Sequence, residues 1–206
     1  MTQVNRCLSF GLLTLALWWG GNSVSFAGTP TEQVKNTIDR VLAILQDPTT
    51  KGEAKKAERR ERLRQVLSPR FDFAEMARRS LGRHWKRING KQDEFVAVFT
   101  AFVENSYIAK LESFKDEKMV YVRERLDKDF AEVDTKIVPS NGEEFAINYK
   151  LHLARGEWKV YDVVVENVSL VNNYRSQFNR ILARASFDEL LKLLREKGST
   201  KESKRS

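Results

Sequence analysis

Residues 158–178 read WKVYDVVVENVSLVNNYRSQF. The first part alternates, with Trp158, Val160 and Val164 on one side and Tyr161, Val163 and Val165 on the other. After Glu166-Asn167 the apolar positions are Val171, Tyr174 and Phe178, a helical spacing. A period of 2 giving way to one of 3.6 predicts a strand that turns a corner and hands its apolar face to a helix. No reactive group in the stretch is arranged for chemistry. The corner is expected to form part of the wall of an apolar cavity.

Upstream of this corner the same alternation recurs. MVYVRERL, AEVDTKIVP and EFAINYKLHL, between Met119 and Leu153, predict three more strands. The third is the clearest, with Phe145, Ile147, Tyr149, Leu151 and Leu153 on one face and Ala146, Asn148, Lys150 and His152 on the other. Ser140-Asn141-Gly142 and Arg155-Gly156-Glu157 have hairpin chemistry, and short connections make antiparallel neighbours. One apolar and one polar face predict a sheet covered on one side.

Before the strands the period is helical. Thr29-Pro30-Thr31 supplies a cap and a first-turn proline for Val34, Ile38, Val41, Leu42 and Leu45, and Asp47-Pro48 stops that helix. Residues 51–62, KGEAKKAERRER, are nearly all charge, and their apolar seam starts only at Leu63, Val66 and Leu67. Glu53, Glu58 and Glu61 break up the positive run, which makes it a solvated helix rather than a nucleic-acid arm. Phe71, Phe73, Met76, Ala77 and Leu81 form a short amphipathic segment ending at Gly82. The next helix carries Phe95, Phe99 and Phe102 on one stripe, a pattern that describes both solid core and a cavity wall. After the corner, helices are expected over 169–185 and 189–197, with Gly198–Ser206 a polar, disordered tail. The predicted architecture is α+β: N-terminal helices on one face of a curved antiparallel sheet of about four to five strands, with C-terminal helices closing an apolar cavity.

The first 27 residues stand apart. Arg6 precedes an apolar run, Leu8–Trp19, too short to cross a bilayer, and Ser25-Phe26-Ala27 places small residues where a signal peptidase reads. Cleavage there leaves one exported domain, 28–197. It removes Arg6 from the 36 basic residues and none of the 28 acidic ones, so the net charge falls from +8 to +7. It also removes Cys7, the only cysteine, and with it all thiol chemistry. Positive charge on an exported protein points to anionic membrane surfaces before nucleic acid.

Catalytic constellations are missing. There is no Gly-rich phosphate loop, no G-x-S-x-G elbow and no H-E-x-x-H, and His84 and His152 lie in different elements. No cofactor or metal site is expected. Asp162, inside an apolar strand on the Trp158/Val160/Val164 side, has two readings. Buried in a pocket it would be a proton-transfer base of the isomerase type. Otherwise it pairs with a cation or caps backbone amides at the sheet edge.

In order along the chain, FDFAEMARRSLGRHW at 71–85, QDEFVAVFTAFVENSY at 92–107, WKVYDVVVE at 158–166 and NVSLVNNYRSQF at 167–178 resemble the MlaC family of periplasmic phospholipid-transport proteins, also named toluene-tolerance proteins. The resemblance covers about Thr31 to Lys197, and W-x-V-Y-D followed by V-S-L-V and Y-R-x-Q-F carries most of it. One departure is Asn167, where the family has Gly. Asn tolerates a left-handed backbone, so the corner survives.

The resemblance implies a non-enzymatic, monomeric carrier in the periplasm of a Gram-negative envelope. It would shuttle phospholipid between outer and inner membranes and so maintain outer-membrane lipid asymmetry. Its implied partners are an inner-membrane ABC transporter, an outer-membrane lipoprotein–porin complex and, transiently, the membrane surface. A branch of the family associated with hopanoid synthesis makes a sterol-like cargo the alternative, beside a small pocket enzyme using Asp162. About 30 methylenes exposed to water would cost on the order of 20 kcal/mol, so such a cargo must be enclosed. The candidate lining is Phe73, Met76, Trp85, Phe99, Phe102, Ile147, Tyr149, Val160, Val164 and Val168, with Arg78, Arg79 or Arg83 at the rim for the phosphate.

Overall fold

The computed structural model describes residues 28–114, 117–140 and 142–203. The signal peptide expected over 1–27 lies outside the described residues, as do Asn141 in the second hairpin connection and 204–206.

Helix α1 (Pro30–Gln46) starts where Thr29 and Glu32 cap each other: the Thr29 Oγ1 accepts the Glu32 N–H at 3.2 Å and the Glu32 carboxylate accepts the Thr29 N–H at 2.7 Å. It stops at Asp47, whose carboxylate accepts from Thr49 and from Arg62, at 2.8 Å for Arg62. Those bonds hold the Asp47 carboxyl down at about 2. Helix α2 (Lys56–Leu67) is charged all round except for the buried Leu63 and Val66. Asp72 caps α3 (Phe73–Leu81), and its carboxylate accepts the Glu75 N–H at 2.9 Å. Gly82 ends α3 at φ 54°, and a Cβ there would meet the Arg175 side chain at 3.4 Å. Helix α4 (Gln92–Leu111) follows.

The strands are β1 (Lys118–Asp127), β2 (Phe130–Val138), β3 (Phe145–Ala154), β4 (Glu157–Val165) and the short β5 (Val168–Ser169). They form one open antiparallel sheet in sequence order, as short connections require. The chain closes with α5 (Leu170–Leu182) and α6 (Phe187–Ser203). The α+β architecture is the expected one. Helix α6 runs on to Ser203, past the Lys197 where the sequence reading ends it, and passes close to α4: a Cβ added at Gly198 would meet the Phe102 Cα at 3.6 Å.

The corner turns as its sequence requires. Val165 pairs with Val168, and the two residues between them, Glu166 and Asn167, have φ of 46° and 62°. Two positive φ values in a two-residue connection make a turn whose twist matches the strands, and Asn suits one of them. Ser169 then caps α5, its hydroxyl accepting the Asn172 N–H at 3.1 Å.

Register corrects the sequence reading of β4. Leu151 pairs with Val160 but Lys150 pairs with Asp162, so Tyr161 is an extra, bulged residue. A one-residue slip exchanges the faces of everything beyond it. Val160 therefore shares a face with Val163 and Val165, whereas Asp162 and Val164 lie on the other face.

Packing falls into three clusters. One is a solid helical core of α3, α4, α5 and α6 around Met76, Leu81, Phe95, Phe99 and Phe178. A second lies between α1 and the sheet around Val34, Val133, Leu151 and Val160. The third joins α1, α2 and α4 through Val41, Leu63 and Ile108. The space between these clusters is the site.

Candidate functional site

An apolar cavity of about 460 Å³ lies between α1, the C-terminal half of α4 and the inner face of the sheet. Helix α1 contributes Val34, Ile38, Val41, Leu42 and Leu45; α4 and its end contribute Val103, Tyr107, Ile108, Leu111 and Phe114. The sheet contributes Met119, Ile137, Phe145, Ile147, Tyr149, Val160, Val163 and Val165. Phe71, Phe73 and Met76 close one end with Val34 and Val160. Val34, Met76 and Val160 are 2% exposed or less, whereas Lys110 and Ser113 are exposed, so the mouth is at the C-terminal end of α4.

Polar side chains on the wall are mostly engaged elsewhere. Arg70 donates to the Trp158 carbonyl, to the Gln33 side chain and to the Thr37 hydroxyl. Burial pushes its guanidinium below the usual value. Arg64 donates to Asn105 at 2.7 Å, and Glu104 accepts from the Ser68 hydroxyl. Tyr107 accepts from the Tyr174 hydroxyl at 3.4 Å. The Lys110 ammonium sits 5.0 Å from the centre of the Tyr107 ring, at the mouth. Burial raises the pKa of Tyr107 and Tyr149, which keeps both phenols neutral against the apolar wall. The surface so formed suits long hydrocarbon.

Five of the ten candidate lining residues stand on this wall: Phe73, Met76, Ile147, Tyr149 and Val160. The other five do not. Phe99 is fully buried in the solid core, 5.8 Å from Phe95 and 6.3 Å from Phe178 between ring centres. Phe102 packs edge-on to Tyr174, and Trp85 packs on the same core. Val164 is turned to the opposite face of β4 by the bulge at Tyr161, and Val168 is 55% exposed in the corner. Arg78, Arg79 and Arg83 do not line the cavity either. Arg78 and Arg79 share Glu75, and Arg79 lies over the Tyr161 ring at 4.2 Å.

The largest omission from the sequence reading is α1. Its apolar stripe was legible as a buried face, but nothing in a stripe tells a void from packed side chains. Val163 and Val165 were missed because the bulge is silent in the alternation.

Asp162 sits at 5% exposure on the face away from the cavity. One carboxylate oxygen accepts the Val171 N–H at 3.1 Å and the other the Ser169 hydroxyl at 2.6 Å. It caps amides at the start of α5, the second of its two readings. His152 bonds Asp72 at 2.9 Å and His84 bonds Asn179 at 3.0 Å, each within the scaffold. Among the described residues no group of His, Cys, Asp and Glu is placed to hold a metal, and no helix is long and apolar enough to cross a membrane.

The arrangement has counterparts. A solved phospholipid-binding protein from Ralstonia solanacearum, determined in complex with a phospholipid, superposes with a TM-score of 0.72 at 25% identity, covering 85% of this chain and 99% of that one. The intermembrane phospholipid transport system binding protein MlaC of Haemophilus influenzae is 23% identical over 177 residues, 83% of either chain. The family model described as MlaC protein matches residues 35–196. The chain belongs to the MlaC protein family.

Proposed function

We propose that the protein is a phospholipid carrier that moves lipid between the two membranes of a Gram-negative envelope. The observation that carries this is the cavity: apolar, closed at Val34, Met76 and Val160, and open at Lys110. Its volume is in the range of small-molecule sites. The acyl chains lie against Phe73, Met76, Ile147, Tyr149 and Val160 together with the inner stripe of α1, and the phosphate stays in water beside Lys110. The match to a relative named for intermembrane phospholipid transport supports this reading, as does the likeness to a phospholipid-bound structure. The expected setting is the periplasm after removal of residues 1–27. The partners are an ABC transporter at the inner membrane and a lipoprotein–porin complex at the outer one.

Such a carrier must match the membrane closely in affinity without exceeding it. A wall of aliphatic and aromatic side chains does this, since hydrocarbon gains about as much there as in a bilayer. Native mass spectrometry of protein purified without detergent tests the reading. A bound mass in the phospholipid range is expected. Protein that emerges empty, and takes up no lipid from vesicles, would refute it.

A further inference from the structure

The end of the molecule opposite the mouth is strongly basic. Arg83, Lys86 and Arg87, in the 3-10 turn after α3, Arg180 on α5 and Arg184 just past its end are all exposed. Two contacts bring these segments side by side: His84 with Asn179 at 3.0 Å, and Arg175 Nε donating to the Arg79 carbonyl at 2.8 Å. Among the described residues none of the five cations is in an ion pair, and the only side-chain bond made by any of them is the 3.4 Å contact of Arg83 with His84. Among the described residues other exposed cations do have carboxylates: Lys35 has Asp39, Lys55 has Glu58, and Arg195 has Glu94. The carboxylates of neighbouring segments are engaged by other cations: Glu75 by Arg78 and Arg79, Asp188 by Lys91, and Glu94 by Arg195. Five like charges gathered without compensation repel one another, and an external anion relieves that repulsion.

We propose that this end is a docking surface for an anionic lipid bilayer. Charge complementarity gives the sign of the partner. The half-buried Trp85, within GRHWKR at 82–87, gives its kind: an indole flanked by Lys and Arg is the composition that settles at a membrane interface. The place on the fold gives the role. Helix α4 spans about 30 Å, its N-terminal turn lies beside the patch through Phe95 and Phe178, and its C-terminal turn is at the mouth. Docked by this end, the protein keeps its mouth turned away from the bilayer, open to other proteins. The surface is therefore a tether and not the port through which lipid passes, and it does not depend on what the cavity holds.

The test is co-sedimentation of the full-length mature chain with vesicles of one-third phosphatidylglycerol in phosphatidylcholine, against pure phosphatidylcholine. The wild type should bind the anionic vesicles only and be released by high salt. Replacing Arg83, Lys86, Arg87, Arg180 and Arg184 by Gln should weaken binding by about 100-fold or more. A control that replaces five exposed, unpaired cations elsewhere (Arg40, Lys51, Lys118, Lys128 and Arg155) should stay within about threefold of the wild type. Circular dichroism confirms that both variants fold, and the salt dependence of the wild type gives a measure that needs no variant. Four results would overturn the inference: no binding of the wild type to anionic vesicles, equal losses in the two variants, equally tight binding of the wild type to soluble polyglutamate, or loss of the co-purified lipid along with vesicle binding. Polyglutamate binding would assign the patch to an acidic protein surface.

Discussion

The carboxylate of Asp162 accepts the backbone N–H of Val171 at 3.1 Å, across the corner that joins β4 to α5. The same side chain accepts the Ser169 hydroxyl at 2.6 Å, and Ser169 in turn caps the helix. One buried carboxylate thus fixes the angle at which the helix leaves the sheet. Asp162→Ala strands both donors and should cost about 2–3 kcal/mol in urea unfolding, while Asp162→Asn, which keeps an acceptor, should cost about 1 kcal/mol. Both variants should still co-purify with lipid. Loss of lipid at unchanged stability would put Asp162 back in the binding machinery.

Phe99 and Val163 read alike in the sequence and differ in the structure. Phe99 is fully buried among Phe95, Tyr174 and Phe178, and Val163 borders the void. Phe99→Ala should therefore lower stability by about 3–5 kcal/mol, through the hole it leaves in a close-packed core. Ile147→Trp with Val163→Trp should fill the cavity instead. That double variant should melt within a few degrees of the wild type and yield protein without lipid. Retained lipid in the filled variant would place the cargo elsewhere.

What the sequence made legible follows from what periodicity encodes. It says which face of an element is buried, so the switch at Glu166-Asn167, the four long strands and the helices are all recoverable from it. It does not say whether a buried face meets other side chains or empty space. Phe99 and Phe102 were therefore assigned to the cavity, while Ile38, Leu42 and Leu45 on α1 were not. Nor does it reveal an extra residue in a strand. Tyr161 carries a normal strand side chain, and only its missing partner on β3 shows that Val164 and Val163 have traded faces. The five candidates that line the cavity share a simpler logic: Ile147 and Tyr149 are on the unbulged strand β3, Val160 comes before the bulge on β4, and Phe73 and Met76 lie on the inner face of α3.

All five tyrosines, Tyr107, Tyr121, Tyr149, Tyr161 and Tyr174, are pushed above the usual phenol value, with burial the largest cause in each. Tyr121 rises to about 12. A group with a raised folded pKa contributes its full stability below the unfolded value near 10, and loses it as pH climbs through the folded one. Stability should hold to about pH 10 and fall between about pH 10 and 12. Absorbance at 295 nm should show little phenolate at pH 10.5, then a cooperative rise that coincides with unfolding by circular dichroism. Independent, unshifted ionisation of several tyrosines in the folded protein would contradict the buried placement of these hydroxyls.

Arg70 ties the wall of the cavity together. Its guanidinium donates to the Gln33 side chain and the Thr37 hydroxyl on α1, and to the Trp158 carbonyl on β4. Trp158 N–H donates to the same Gln33 oxygen at 3.1 Å, so α1 is clamped to the strand from two directions. A planar fork of donors is needed to reach these acceptors at once, and a lysine presents only a point charge. Arg70→Met should cost about 2–4 kcal/mol, because it leaves buried acceptors without donors, and Arg70→Lys should recover little of that loss. The cost should be local. Amide hydrogen exchange should quicken along α1 and leave the α4–α5 core protected, and lipid exchange with vesicles should speed up as the wall loosens. Uniform loss of protection across the chain would show that α1 does not open separately from the rest.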